Sequence, residues 1–229
     1  MIILGIDSSS KSASAALMKD GTILCENYIN SGLTHSQTLM NLVKDCFNNT
    51  GTNPENVDLI AVSTGPGSFT GVRIGLACAK GIAFTRNIKC CSVSSLEALS
   101  VNAIHFTGKI YSVLDARCSQ VYFAEFESDG KTVKRLCEDC ALTLEEVKIK
   151  AKSEKNRIIL VGDGAELCYD FLSEECQNVI ISSESQRFTK ASCICMLADE
   201  TKAFSSDKLV PNYLRLPQAQ RNLKKGVQK

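Results

Sequence analysis

Residues 59–84 constrain this chain more than any other stretch. A short apolar run, Leu59, Ile60, Ala61 and Val62, stops at Gly65-Pro66-Gly67 and gives way to a segment with helical spacing. Such a run reads as a strand buried on both faces, and the Gly-Pro-Gly turn ends it abruptly. Ser68 or Thr70 can cap the helix that follows. Within that helix Gly71, Gly75, Ala79 and Ala83 recur every four residues, which leaves one face nearly bare. Glycine in a helix interior costs about 1 kcal/mol against alanine, so the bare face needs a close neighbour. Three candidates satisfy it: the chain's own sheet, the backbone of another chain through a small-xxx-small contact, or a phosphate held at the helix N-terminus. Neither G-x-G-x-x-G nor G-x-x-x-x-G-K-S/T occurs here, which counts against the phosphate.

Around this unit the chain repeats itself. Residues 2–6, 13–18 and 22–28 read as three successive strands, the second and third joined by the tight turn Asp20-Gly21. Thr34 with Gln37 has the form of a capping box, and Leu39, Leu42, Val43, Cys46 and Phe47 follow at helical spacing. After 59–84 comes a strand over 88–93, and Ser94 with Glu97 opens a helix to about residue 104. The order is then βββαβαβα. From residue 110 the same grammar returns: strand, Asp115, polar turn, strand, an Asp129-Gly130 turn answering Asp20-Gly21, a third strand over 132–136, and a helix capped by Thr143 with Glu146. A strand over 158–161, the turn Gly162-Asp163-Gly164, a helix over 165–172, a short strand over 179–181 and a closing helix over 191–204 complete it. The predicted organisation is two lobes, 1–106 and 107–204, followed by a basic segment, 205–229.

Composition narrows the function. With 229 residues, 44% apolar content and a net charge of +1, the chain can build one large or two small cores, and it lacks the basic excess of a protein devoted to gripping phosphates. Lys208, Arg215, Arg221, Lys224, Lys225 and Lys229 against Asp207 alone make the last 25 residues basic. That run reads either as a solvated tail or as a docking arm for RNA or an acidic partner. The twelve cysteines are scattered. Only Cys137 and Cys140 form a C-x-x-C pair, and no second pair or spaced histidine completes a zinc set. Reduced, packed thiols, an apolar N-terminus too short for a signal peptide and the lack of any membrane-length apolar run point to the cytoplasm.

A doubled βββαβα unit, each copy opening with strand, aspartate, hydroxyl-rich turn and strand, resembles the actin, sugar kinase and Hsp70 (ASKHA) superfamily, an α/β class of two tandem actin/RNase H-like lobes. Three motifs make the resemblance specific: the run from Gly65 to Gly75 (GPGSFTGVRIG), Leu114-Asp115-Ala116-Arg117, and Pro211-Asn212-Tyr213-Leu214-Arg215. Together they resemble the TsaB (YeaZ) family of tRNA threonylcarbamoyladenosine biosynthesis proteins, over residues 2 to about 216. Cys118 and Ser119 depart from the more polar or basic pair commoner there.

That resemblance implies a non-catalytic scaffold. It would form a heterodimer with a TsaD-like catalytic subunit and recruit a TsaE-like ATPase, contact tRNA through the complex, pair with itself when alone, and need no cofactor. TsaD holds its metal through H-x-x-x-H on its first helix; here His35 is followed four residues later by Leu39, so neither that metal site nor a metallopeptidase site is expected. The partner surface would come from the first two helices, through His35, Leu39, Leu42, Gly71, Arg73, Ile74, Gly75 and Ala79. Asp7, Ser8, Gly65, Gly67 and Asp115 would be the remnant of a phosphate site. A plainer reading of Asp7 and Asp115 is that each carboxylate satisfies the amides of its own turn. No Ser or Cys has an evident His base, so no catalytic residue is assigned. The rival reading is an autonomous ATP-dependent phosphotransferase of the same fold.

Overall fold

The computed structural model of the chain describes residues 1–215; most of the basic run, from 216 on, lies outside the described residues. Two sheets share one topology. In the first, β1 (Ile2–Asp7), β2 (Ala13–Lys19), β3 (Thr22–Ile29), β4 (Leu59–Gly65) and β5 (Lys89–Ser94) lie in the order β3-β2-β1-β4-β5. The hairpin strands run antiparallel, and β1, β4 and β5 are parallel. Parallel neighbours need crossover helices, supplied by α1 (His35–Thr50) and α2 (Phe69–Phe84), while α3 (Ser95–Asn102) leads onward. The β2–β3 turn pairs Lys19 with Thr22, and both Asp20 and Gly21 take positive φ, as the two-residue Asp-Gly hairpin requires.

The second sheet repeats this plan. It contains β6 (Thr107–Asp115), β7 (Gln120–Asp129), β8 (Val133–Arg135), β10 (Ile158–Val161) and β11 (Val179–Ile181) in the order β11-β10-β6-β7-β8, and an additional strand, β9 (Cys140–Thr143), pairs with β7. Its helices are α4 (Leu144–Ser153), α5 (Ala165–Leu172), the single turn α6 (Glu184–Arg187) and α7 (Ala191–Met196). The strand β9 was not foreseen; Cys140 to Thr143 has no alternation to announce it.

Packing orders the layers. Leu39, Val43 and Phe47 of α1 and Val72, Leu76 and Ala79 of α2 cover one face of the first sheet, and Leu209 from the far end of the chain completes that core. On its other face Ala191, Ile194 and Cys195 of α7 meet Ile3, Ala16 and Ala61. Helix α3 lies between the sheets: Ala98 faces the first, and Leu96 and Leu99 pack with Ile110, Leu114 and Phe126 of the second. Helices α4 and α5 cover the outer face of the second sheet.

Local signals held in part. Thr143 and Glu146 form both halves of a capping box, and Ser94 caps α3, but the Glu97 carboxylate bonds Arg135 and does not turn back. Thr34 stands at the N-cap of α1 without a side-chain cap bond; its hydroxyl accepts from Ser36. The closing helix expected over 191–204 ends at Met196, because Asp199 caps a separate 3-10 turn and Phe204 exchanges two backbone hydrogen bonds with Cys90 on the edge of the first sheet. Ser68 caps α2, accepting from the Gly71 amide at 3.2 Å. Ser68→Ala is expected to cost about 1 kcal/mol, read as a shift of the urea midpoint at constant slope.

Candidate functional site: the cleft between the two sheets

Five separated segments converge on a cavity of about 630 Å³ between the sheets. The β1–β2 turn supplies Ser9, Ser10 and Lys11; the entry to α2 supplies Gly67, Ser68, Phe69 and Thr70; the β6–β7 hairpin supplies Asp115 to Cys118; Asp163 follows β10; and Tyr213 and Arg215 arrive from the end of the described chain.

The first wall is a backbone-to-backbone contact. The Ser8 hydroxyl donates to the Gly71 carbonyl at 2.9 Å, and the Ser68 amide donates to the Ser9 carbonyl at 2.7 Å. A Cβ on Gly71 would lie 2.1 Å from the Ser8 carbonyl oxygen, one on Gly67 2.2 Å from that of Ser9, and one on Gly75 2.6 Å from the Ser8 hydroxyl. Within this chain, then, the bare face of α2 has its neighbour: the turn after β1. His35 buttresses the same turn through Nε2 and the Ser10 carbonyl, 2.8 Å apart.

Beneath the turn Asp7 is fully buried. Its Oδ1 accepts from the Ser9 hydroxyl at 2.7 Å and the Ser9 amide at 3.3 Å, while Oδ2 has no hydrogen-bond partner. Burial pushes this carboxyl above its ordinary range, with the Ser9 hydrogen bonds opposing.

The opposite wall is a hairpin in an uncommon conformation. Arg117, Cys118 and Ser119 all take left-handed φ values of 67°, 55° and 54°, a conformation that costs roughly 1 kcal/mol or more per residue. Three contacts hold it. The Arg117 amide donates to Asp115 Oδ1 at 2.7 Å, the Ala116 amide donates to the Gln120 carbonyl, and Arg215 Nη1 donates to the Ala116 carbonyl at 2.6 Å. Asp163 accepts from the Asp115 amide at 3.0 Å; burial raises its carboxyl, opposed by that bond and by the charge of Lys11.

The C-terminal segment joins the walls. The Asn212 amide donates to the Thr64 carbonyl at 2.8 Å, Tyr213 stacks on Phe69 with centroids 4.8 Å apart, and Arg73 lies over Phe69 while its Nε donates to the Tyr213 hydroxyl.

The residues expected at a partner surface and at a phosphate remnant are thus redistributed. Leu39, Gly71, Gly75 and Ala79 are buried inside this chain, and Leu42 is half-buried against the same core, so that part of the partner set needs revision; Arg73 is exposed and Ile74 half-exposed. Of the phosphate set, Gly67 and Asp115 line the cleft, whereas Asp7 and Ser8 are buried behind it and Gly65 backs onto Asn212. Tyr213 and Arg215 were missed as cleft residues although their motif stood out. Among the described residues no group of three or more His, Cys, Asp or Glu is placed to hold a metal ion, all twelve cysteines are free, and no helix is long and apolar enough to cross a membrane. Burial pushes the Cys46 and Cys168 thiols up to about 12.

Two copies of one strand order enclosing a cleft define a member of the actin, sugar kinase and Hsp70 superfamily. The family model for tRNA N6-adenosine threonylcarbamoyltransferase, TsaD, matches residues 27–225. The tRNA threonylcarbamoyladenosine biosynthesis protein TsaB of Bacillus subtilis is 31% identical over 221 residues, covering 96% of each chain. TsaB of Escherichia coli is 35% identical over 136 residues, 56% of each chain. A solved structure, YeaZ from Pseudomonas aeruginosa, superimposes with a TM-score of 0.79 at 25% identity over 93% of this chain and 99% of that one. The chain belongs to the TsaB (YeaZ) family of tRNA threonylcarbamoyladenosine biosynthesis proteins.

Proposed function

We propose that this chain is the non-catalytic scaffold of a cytoplasmic tRNA-modifying complex. It pairs with a TsaD-like catalytic subunit and recruits a TsaE-like ATPase, so that a threonylcarbamoyl group is placed on the adenosine beside the anticodon. The observation that carries the reading is the similarity to TsaB across nearly the whole of both chains. The state of the turn after β1 supports it. Of that turn Ser9 and Ser10 line the cleft, but the Ser8 hydroxyl is spent on Gly71, the Ser9 hydroxyl on Asp7, and Asp7 itself is sealed beneath them.

The partner surface then lies on the outer side of α1 and α2. Met40 is exposed beside a groove of about 600 Å³ that Val43, Phe47 and Ile82 also line, and Phe84 is 83% exposed. In the absence of the catalytic subunit the same apolar surface serves self-pairing.

The test is a reconstituted modification assay with catalytic subunit, ATPase and tRNA, run with and without this chain. Omission is expected to abolish product, and product formed at an unchanged rate would end the scaffold reading. The rival, an autonomous phosphotransferase, draws on the hydroxyls and cations of the cleft. Calorimetric titration of the isolated chain separates the two, since micromolar ATP binding accompanied by turnover would favour the rival.

A further inference from the structure

The C-x-x-C pair, Cys137 and Cys140, plays no part in the scaffold reading. It lies where the edge of the second sheet is interrupted. Strand β8 pairs with residues 126–128 of β7 and β9 pairs with residues 120–123, so the loop between β8 and β9 spans a gap in the ladder. Sulfur fills that gap. The Glu125 amide donates to Cys137 Sγ at 3.2 Å, and the Cys140 thiol donates to the Phe123 carbonyl at 3.5 Å. Residues 123 and 125 are two apart on one strand, so these backbone groups share an edge and the two sulfurs hang from it side by side. Both thiols are half-buried against the core of the second sheet. Burial, with Cys137 beside it, pushes the Cys140 thiol up while Lys150 opposes, and Cys140 rests as a thiol at neutral pH. Hydrogen bonds to sulfur are weak, so little fixes either side chain in place.

Between the two cysteines sits the residue that clasps the sheets together. Asp139 accepts from the Ser94 hydroxyl at 2.6 Å and from Arg135 Nη1 at 2.7 Å, and Arg135 Nη2 reaches Glu97 at 3.1 Å while its guanidinium lies over Phe126. Ser94 ends β5 of the first sheet and caps α3, the helix between the sheets. The Asp139 side chain is only 9% exposed, so these are largely desolvated, charge-assisted contacts. A ring closed through residues 137 and 140 encloses Asp139 and draws both sulfurs off β7. The carboxylate then loses the position from which it holds Ser94 and Arg135.

We propose that Cys137 and Cys140 form a reversible dithiol–disulfide site, oxidised by low-molecular-weight disulfides, whose closure releases the Asp139 clasp between the sheets. Cys137 lies between the exposed Leu136 and Glu138 and is the sulfur that reacts first. Its thiolate attacks one sulfur of the small disulfide, whose S–S bond breaks, and one thiolate leaves and takes up a proton. The Cys140 sulfur then displaces the second small thiol from Cys137 and gives up its proton to it. The protein pair loses two electrons and two protons, and the small disulfide becomes two thiols.

The experiment incubates the reduced, full-length chain with oxidised and reduced glutathione at set ratios, followed by acid quenching, alkylation and trypsin digestion. Cleavage after Arg135 and Lys148 gives a peptide, 136–148, that holds both sulfurs and no other cysteine. This peptide is expected to lose two hydrogens and escape alkylation, and to regain both thiols in dithiothreitol. Cys118, exposed and without a C-x-x-C partner, stops at a glutathione adduct. Hydrogen exchange reads the clasp: oxidation speeds exchange of the amides of residues 97–99, at the start of α3, roughly tenfold, as the loss of a hydrogen bond to a charged group implies. The variant combining Cys137→Ser and Cys140→Ser exchanges as the reduced wild type does, with or without oxidised glutathione. Asp139→Asn exchanges fast before oxidation and gains little from it. A 136–148 peptide recovered fully alkylated, or carrying two glutathiones, overturns the site. A closed disulfide with exchange in α3 unchanged, or an Asp139→Asn variant that exchanges as slowly as wild type, overturns its action on the clasp.

Discussion

Gly71→Ala is expected to destabilise the fold by about 2–4 kcal/mol, lowering the melting temperature by roughly 5–15 °C for a chain of this size. The methyl group would sit 2.1 Å from the Ser8 carbonyl oxygen, and that atom belongs to a backbone fixed on both sides, by the Ser8 hydroxyl on Gly71 and by the Ser68 amide on Ser9. No flexible side chain is available to yield. Gly75→Leu meets the Ser8 hydroxyl instead and must displace it before the rest of the side chain is accommodated. Calorimetry on the isolated chain decides between internal packing and an intermolecular role for this face. Variants that melt at the wild-type temperature yet fail to pair with a catalytic subunit would return the glycine face to the partner.

Asp7→Asn should have the opposite effect, stabilising the protein at neutral pH, because the amide Oδ1 can keep the Ser9 hydrogen bonds while the cost of burying an ionisable carboxyl is removed. The wild-type carboxyl is raised in the folded state by burial, so folding favours its protonated form. Its contribution is fully present below the unfolded value of 3.8 and is lost as pH rises through the higher folded value. The difference in stability between the variant and wild type is therefore largest near neutrality and shrinks as pH falls toward 4. Exposed carboxylates such as Glu175, held down to about 2 by Lys152 and Lys148, pull the other way but are common to both proteins and cancel in the difference. Urea titrations of the pair from pH 4 to pH 8 measure this directly. A difference that stays constant, or that grows as pH falls, would mean that Asp7 carries its charge in the folded protein.

Much of the architecture was legible because local signals agreed with the tertiary plan. Asp20-Gly21 forced its hairpin, Thr143 and Glu146 closed their capping box, and the continuous apolar runs of β1 and β4 became parallel central strands. Legibility failed where a distant partner outbid local preference. Ala191 to Phe204 has helical spacing, yet Phe204 is worth more as a bridge to Cys90, and the helix stops eight residues early. The cleft was only half readable for the same reason. Asp115 and Gly67 were visible from their motifs, but nothing local says that Tyr213 lands on Phe69, or that the Ser8 hydroxyl turns inward to Gly71. The four-residue glycine and alanine rhythm announced close approach without naming the neighbour, and the neighbour proved to be a turn 63 residues upstream.

The lateness of the pieces that complete the first sheet bears on how the chain is made. Domains commonly fold in order as they leave the ribosome. Here the first sheet receives α7 on one face and Leu209 on the other, and its β4 end is tied by Asn212. A nascent chain that has finished the first five strands still exposes Ile3, Ala16 and Ala61 and keeps a gap where Leu209 belongs. The first sheet therefore cannot complete its core from residues 1–94 alone, and both of its faces are closed only by pieces drawn from the last 25 of the described residues.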